Sequence, residues 1–411
     1  MEGKNTEKNS REKEGMVVYH SFNYDKQKIG NKKIINNQFL IDRHISQGSF
    51  WNVYLVKRIR IEGEIPDELN SDNSYYVIKE GCLDQVSSEC YDLNLAKSDS
   101  MSFGCNKKLL QMYNDMASIE GECVDDNMVS NSNTDEENYT EYNEENMLNI
   151  ITAEETEIRT GLREYHILKK LNHKNIARLY ECIIDIEKNK VGLVMEYADL
   201  GPLMKPTDTM QGYTYNNEIL KFLIENCLQI KENGQILQIL IDALNYSNEI
   251  RVTFINYHSF FVECTKYLFK MLAESIKYLH DRNIAHRDIK PDNILFKSTD
   301  KNLKLADFSI SHQFKDRNEM ISSDSGTRPF KSPESFLQNY NPFSADIYSF
   351  GAVIFVFLFN RFVYDLNGDK EDISKLKNYY PRLYQLLKSM LDEIPEKRPN
   401  IDEILNHDLF I

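Results

Sequence analysis

The stretch His286-Arg287-Asp288-Ile289-Lys290-Pro291-Asp292-Asn293 constrains this chain more than any other. It follows an amphipathic run, Tyr267-Leu268-Phe269-Lys270-Met271-Leu272, continued by Ile276, Tyr278, Leu279 and His280, and that spacing predicts a helix. It precedes Ile294-Leu295-Phe296, a short apolar piece that reads as a strand. A helix end, a polar loop and a strand leave Asp288 and Asn293 close together. Phosphoryl transfer needs that pair: a carboxylate to take the hydroxyl proton and orient the attacking oxygen, and an amide oxygen to hold Mg²⁺.

Other stretches carry compatible chemistry. Ile45-Ser46-Gln47-Gly48-Ser49-Phe50-Trp51-Asn52-Val53-Tyr54-Leu55-Val56 reads as strand, hairpin turn and strand. Tyr75-Tyr76-Val77-Ile78-Lys79 is an alternating strand that ends in a lysine. Leu303-Lys304-Leu305-Ala306-Asp307-Phe308-Ser309 is an apolar strand running into a loop with a second carboxylate. Thr152-Ala153-Glu154-Glu155 fits a capping box, and Ile158, Leu162, Tyr165, Ile167, Leu168 and Leu171 then follow at helical spacing.

The His-Arg-Asp loop with its Asn resembles the catalytic loop of protein kinases, and Lys290 makes it similar to the Ser/Thr branch. The resemblance implies an α+β, two-lobed fold, with a small β-rich N-lobe carrying the αC helix, a larger mainly helical C-lobe, and two insertions. It implies Asp288, Lys290, Asn293 and Thr327 as catalytic residues, with Asn293 and Asp307 holding metal. Ser46, Gly48 and Val53 resemble the glycine-rich loop, although Ser46 and Trp51 replace its first and third glycines. Val77 and Lys79 resemble the lysine strand, with Glu164 as the lysine's partner. Met195 resembles the gatekeeper, Glu196, Tyr197 and Ala198 the hinge, and Leu295 falls among the nucleotide-binding positions. The implied cofactors are ATP and Mg²⁺.

Ser322-Ser323-Asp324-Ser325-Gly326-Thr327-Arg328-Pro329-Phe330-Lys331-Ser332-Pro333-Glu334 resembles the end of a Ser/Thr kinase activation segment. Asp324 is expected to offer Arg287 a constitutive carboxylate in place of a phosphate, and Ser322, Ser323 and Ser325 are candidate phosphosites. Ser309 replaces the last glycine of the metal-binding Asp-Phe-Gly motif. Asp346 resembles the residue that anchors the catalytic loop, and Arg398 the partner of Glu334. Gly201-Pro202-Leu203-Met204 is similar to the calcium/calmodulin-dependent protein kinase kinases, the activators of AMP-activated kinase. That group's basic calmodulin-binding segment has no counterpart after Ile401–His407, so control by calmodulin is not carried over.

The expected layout is a polar, disordered extension over 1–37 and a kinase domain over 38–411. The N-lobe spans 38–197 with an acidic insert at 81–150, and the C-lobe spans 198–411 with an insert at 205–255. Fourteen Asp and Glu and no Lys or Arg fall between Asp115 and Glu157, which accounts for nearly all of the net charge of −15. With the acidity confined there, neither nucleic acid nor a membrane is implied as a partner. The seven cysteines form no C-x-x-C pair and read as reduced thiols of a cytoplasmic or nuclear protein. The expected partner is a protein with a Ser or Thr acceptor, another kinase among the candidates, met by a monomer. A second reading stays open on Ser46, Trp51 and Ser309: a pseudokinase scaffold without turnover.

Overall fold

The computed structural model describes residues 19–22, 26–29, 31–36, 38–47, 51–59, 75–82, 160–185, 188–207, 212–227, 258–337, 339–363, 376–377 and 380–410. Gly48, the capping box at Thr152–Glu155 and nearly all of the acidic insert lie outside them.

Eight strands form one sheet: β1 (Tyr19–Phe22), β2 (Lys26–Ile29), β3 (Lys32–Ile35), β4 (Phe39–Gln47), β5 (Asn52–Arg58), β6 (Tyr75–Cys82), β7 (Leu179–Asp185) and β8 (Lys190–Glu196). Their order is β1-β7-β8-β6-β5-β4-β3-β2. Four Cα steps from Phe22 to Lys26 cover at most about 15 Å, whereas seven strand spacings in a flat sheet need roughly 34 Å. The sheet therefore curls until its two ends approach each other. Lys26 of β2 reaches Glu80 of β6 at 2.8 Å, with its ammonium 4.3 Å from the ring centroid of Tyr54.

The sheet corrects two expected boundaries. It begins at Tyr19 rather than at 38, because Ile35 is fully buried and packs with Phe39, Val56, Tyr76, Ile78, Ile183 and Val194. A short lysine-rich hairpin with so few apolar residues escapes a composition argument, and it is its packing on the sheet that holds it. β6 likewise continues through Cys82, because Gly81 and Cys82 pair with Val191 and Lys190 of β8. Tyr76 and Ile78 face this outer cluster, so Val77 and Lys79 point to the opposite face.

Helix α1 (Thr160–Leu168) packs below the sheet through buried Leu162, Tyr165 and Leu168. Past β8 come β9 (Gly201–Pro202), the hairpin β10 (Met204–Pro206) and β11 (Tyr213–Tyr215), and α2 (Asn217–Cys227). Here too the expected insert at 205–255 starts too early: Tyr213, Tyr215, Ile219, Leu220 and Leu223 are buried in the main core. Then follow α3 (His258–His280), β12 (Ile284–Ala285), β13 (Ile294–Lys297), β14 (Asn302–Leu305), β15 (His312–Gln313), α4 (Pro342–Phe359), α5 (Pro381–Met390) and α6 (Ile401–Leu405).

α4 is the centre of the helical half. Its Asn341 cap accepts from the Phe343 and Ser344 amides, and Pro342 occupies the first turn where no donor is missed. It is apolar all round, as a helix surrounded by protein must be. By length and composition alone it could cross a membrane, but 83% of it is buried inside the fold. Gly351 lets α5 approach, since a Cβ there would sit 3.0 Å from that of Met390.

Candidate active site

The loop after β12 is held from beneath by α4. The Asp346 carboxylate, 1% exposed, accepts from the backbone amides of His286 and Arg287, both at 2.8 Å, and lies 3.1 Å from His280 Nε2. Arg287 is thereby kept in left-handed backbone (φ 70°), which a non-glycine residue adopts only under external constraint. Burial lowers the pKa of His286 and keeps its ring neutral. Its Nδ1 accepts from the Asp288 amide at 3.3 Å, so Nε2 carries the proton donated to the Ala306 carbonyl at 3.1 Å.

Asp288 is surrounded by donors. Its Oδ1 accepts from the Thr327 hydroxyl at 2.7 Å and the Thr327 amide at 3.1 Å. Its Oδ2 lies 2.7 Å from Lys290 Nζ and 3.1 Å from Asn293 Nδ2. Lys290 also donates to the Thr327 hydroxyl at 2.9 Å. Burial alone would lower the Lys290 pKa; the charge and hydrogen bond of Asp288 together with the charges of Asp307 and Asp292 outweigh it, and the pKa is raised. Gly326 makes the approach possible. It has φ 104°, and a Cβ there would stand 2.9 Å from the Arg287 carbonyl. Every catalytic residue expected from the sequence is in this one cluster.

A second cluster faces it. Lys79 Nζ donates to both Glu164 oxygens at 2.7 Å and to Asp307 at 3.0 Å. Glu164 is fully buried and also accepts from the Phe308 amide at 3.3 Å. Desolvation alone would raise the Asp307 carboxyl. The charge and hydrogen bond of Lys79, the charge of Lys290 and a hydrogen bond from Ser309 together outweigh it, and Asp307 stays far below the usual carboxylate range. Asp307 has φ 63°, whereas Ser309 is not among the residues of positive φ. The replaced glycine therefore costs no backbone strain in this conformation, and its hydroxyl adds a bond to the carboxylate. Phe308 is fully buried edge-on to His286, with ring centroids 4.8 Å apart.

Asn293 spends its amide nitrogen on the Asp288 carbonyl and carboxylate, which leaves its oxygen for a cation, and Asp307 is kept ionised. Among the described residues no group of three or more His, Cys, Asp or Glu is placed to hold a metal. The donors fit magnesium, which takes one or two carboxylates and completes its shell with phosphate and water.

Around the cleft, Ser46 pairs with Val53 and Val53 with Lys79 across β4, β5 and β6, while Val77 pairs with buried Met195 at the end of β8. Glu196 turns its carboxylate away from the cleft, toward Lys297 at 2.8 Å and Lys304 at 3.1 Å, so only its backbone serves a hinge that continues through Tyr197 and Ala198. Leu295 sits on β13, opposite Pro202. The Gly201-Pro202 pair thus forms a short strand on β13.

One expectation changes. Asp324 does not meet Arg287: it is exposed and pairs with Lys331 at 2.6 Å. Arg287 instead donates to the Ser323 hydroxyl at 2.7 Å and the Ile310 carbonyl at 2.9 Å. Lys331 captures Asp324 because its side chain is already fixed over the Phe336 ring, 4.8 Å from the centroid. Ser325 bonds Ser323 at 2.8 Å, and Ser322 accepts from the Asn339 amide. Trp51, at the position of the loop's third glycine, is 8% exposed and packs on Lys79. The outer pair Arg398–Glu334 is bidentate, at 2.6 and 2.7 Å.

The protein kinase domain is matched over residues 146–410. Similar proteins include the serine/threonine-protein kinase stk11 homolog of Dictyostelium discoideum, 29% identical over 60% of this chain and 36% of that protein. Serine/threonine-protein kinase ppk34 of Schizosaccharomyces pombe is 27% identical over 59% of this chain and 58% of its own length. Serine/threonine-protein kinase GRIK1 of Arabidopsis thaliana is 26% identical over 62% and 55%. In each case the match spans less than two thirds of the relative. The matched region covers more than half of this chain and contains Glu164, Asp288, Asn293 and Asp307, and Lys79 joins them from upstream. The chain belongs to the protein kinase family.

Proposed function

We propose that this protein transfers the γ-phosphoryl group of Mg·ATP to Ser or Thr hydroxyls of protein substrates. The observation that carries this reading is the junction of the two clusters. Asp288, ringed by Thr327, Lys290 and Asn293, shares a cleft with a Lys79 already seated on Glu164 and Asp307. Asp288 orients the acceptor hydroxyl and receives its proton. Lys290 is placed to steady the migrating phosphoryl, and Lys79 to hold the phosphates behind it. Magnesium bound by Asp307 and Asn293 supplies neutralisation of charge on the phosphate oxygens. The departures at Ser46, Trp51 and Ser309 delete no group that touches a reacting atom, which favours turnover over a scaffold.

The substrate reading is finer. Gly201-Pro202-Leu203-Met204 resembles the kinase-kinase group, and the activation segments of other kinases are the first acceptors to try. Ser323, held 2.7 Å from Arg287, is the modification site this reading favours. The test is ³²P transfer from Mg·ATP to a generic Ser/Thr protein and to a kinase with an unphosphorylated activation segment, beside an Asp307→Asn control. Transfer lost in the control and on chelation of magnesium supports the reading. Nucleotide binding without transfer to any acceptor would make the protein a scaffold.

A further inference from the structure

We infer that Trp51 is a positioning residue for Lys79, with the face of its indole holding the lysine ammonium at the phosphate end of the cleft; this rests on the phosphoryl-transfer reading above. The register leads to it. Val53 pairs directly with Lys79, and residues directly opposite in an antiparallel pair point to the same face. Trp51 lies two residues before Val53 and returns to that face. Its diagonal distance from Lys79 is one that an aromatic ring and a long side chain can span.

The contact is made: Lys79 Nζ lies 5.3 Å from the Trp51 ring centroid. Trp51 is 8% exposed and belongs to the core cluster that includes Leu162, Tyr165 and Leu168 of α1. The ammonium has three protons, and three oxygens already receive them: two of Glu164 and one of Asp307. The side toward Trp51 meets the negative face of a π system, which attracts the cation without demanding a proton. A phosphate arriving at Lys79 replaces the Asp307 contact, and the ring keeps the ammonium in place through that exchange. A glycine at position 51 would supply no such support.

Trp51 is the only tryptophan in the chain, so growth on fluorinated tryptophans alters this ring alone. Successive fluorines drain the face of the ring while hardly changing its size. We expect kcat/KM and the affinity for Mg·ADP to fall stepwise from tryptophan through mono- to trifluorotryptophan. Trp51→Leu should lose about twofold to thirtyfold, with partial rescue in Trp51→Phe. The fluorinated series retains the packing, so it remains decisive even if Trp51→Leu folds poorly. A flat series in both measurements would overturn the inference and leave Trp51 as packing only. If no acceptor is phosphorylated by the natural protein, the phosphoryl-transfer reading fails. A graded Mg·ADP affinity would then still support the Lys79 contact, and a flat one would refute it.

Discussion

Replacing Asp346 by Asn tests whether the helical half of the fold sets the catalytic geometry. The carboxylate accepts two backbone amides through different oxygens, Arg287 on Oδ1 and His286 on Oδ2. Asparagine keeps one oxygen and turns a donor toward the other amide, at a site with 1% exposure. One orphaned buried N–H costs about 1–3 kcal/mol, and loss of charge assistance on the surviving bonds adds about 1 kcal/mol. The sum, roughly 2–4 kcal/mol, lowers the melting temperature by about 4–12 °C for a domain of this size.

The effect on turnover follows from Arg287. Its left-handed backbone is retained only while Asp346 holds its amide, and relaxing it swings Asp288, the next residue, away from Thr327 and Lys290. A displacement of about 1 Å at a catalytic group is enough for roughly a hundredfold loss of rate. The assay is a thermal melt of each variant followed by single-turnover transfer well below the lower midpoint, so that unfolding does not enter the rate. Asp346→Asn should show a lower midpoint and a lower kcat with KM for ATP nearly unchanged, because Lys79 and the hinge are untouched. An unchanged midpoint with unchanged turnover would refute the reasoning. So would a loss confined to KM.

Gly326→Ala places a Cβ 2.9 Å from the Arg287 carbonyl at φ 104°, and should cost about 1–3 kcal/mol in a melt and most of the turnover; wild-type activity would show that the loop yields freely. Asp324→Ala removes only an exposed carboxylate from Lys331 and should leave the rate as it is. Ser323→Ala, by contrast, takes a partner from Arg287 and should change the response to phosphatase treatment. Burial, with Lys169 and Lys170 beside it, pushes His166 down to about 4, and His173 and His286 are lowered too. A depressed histidine contributes stability that is present above its ordinary value near 6.5 and is lost as pH falls toward the folded value. Melting temperature should therefore decline below about pH 6.5, less steeply in His166→Gln, and equal slopes would contradict the assignment.

The residues that act on one another across the cleft were legible because each is fixed by a short pattern in a suitable setting. Lys79 ends an alternating strand, Asp288 and Asn293 share one loop, and Asp307 follows an apolar strand. Contacts set by a neighbour's prior commitment were not. Nothing in the spacing of Asp324 shows that Lys331, already lying over Phe336, will claim it before Arg287 does. The hairpin at Lys26–Ile35 was missed because its stability comes from one buried isoleucine and an ion pair to a residue far along the chain. Trp51 could have been placed, since counting back two residues from the position opposite Lys79 gives its face.

The segment over 83–159, between β6 and α1, bears on how such a site survives insertion. Closing a connection of that length rather than one of about ten residues costs on the order of 2 kcal/mol, because the penalty grows with the logarithm of length. Against it stand the α1 side chains Leu162, Tyr165 and Leu168, each 2% exposed or less. Full burial of side chains of this kind contributes about 1.5–3 kcal/mol apiece. The Lys79–Glu164 pair therefore does not have to hold α1 in place. It has only to choose the rotation of a helix that packing has already docked, and Lys79 is steadied for that choice by Asp307 on one side and Trp51 on another. On this account Lys79→Met should abolish transfer and, by leaving the buried Glu164 carboxylate without its cation, cost about 3–5 kcal/mol in a melt, most of it recovered in the double variant Lys79→Met/Glu164→Met. A double variant as unstable as the single one would mean that the ion pair, and not the apolar face of α1, carries the closure.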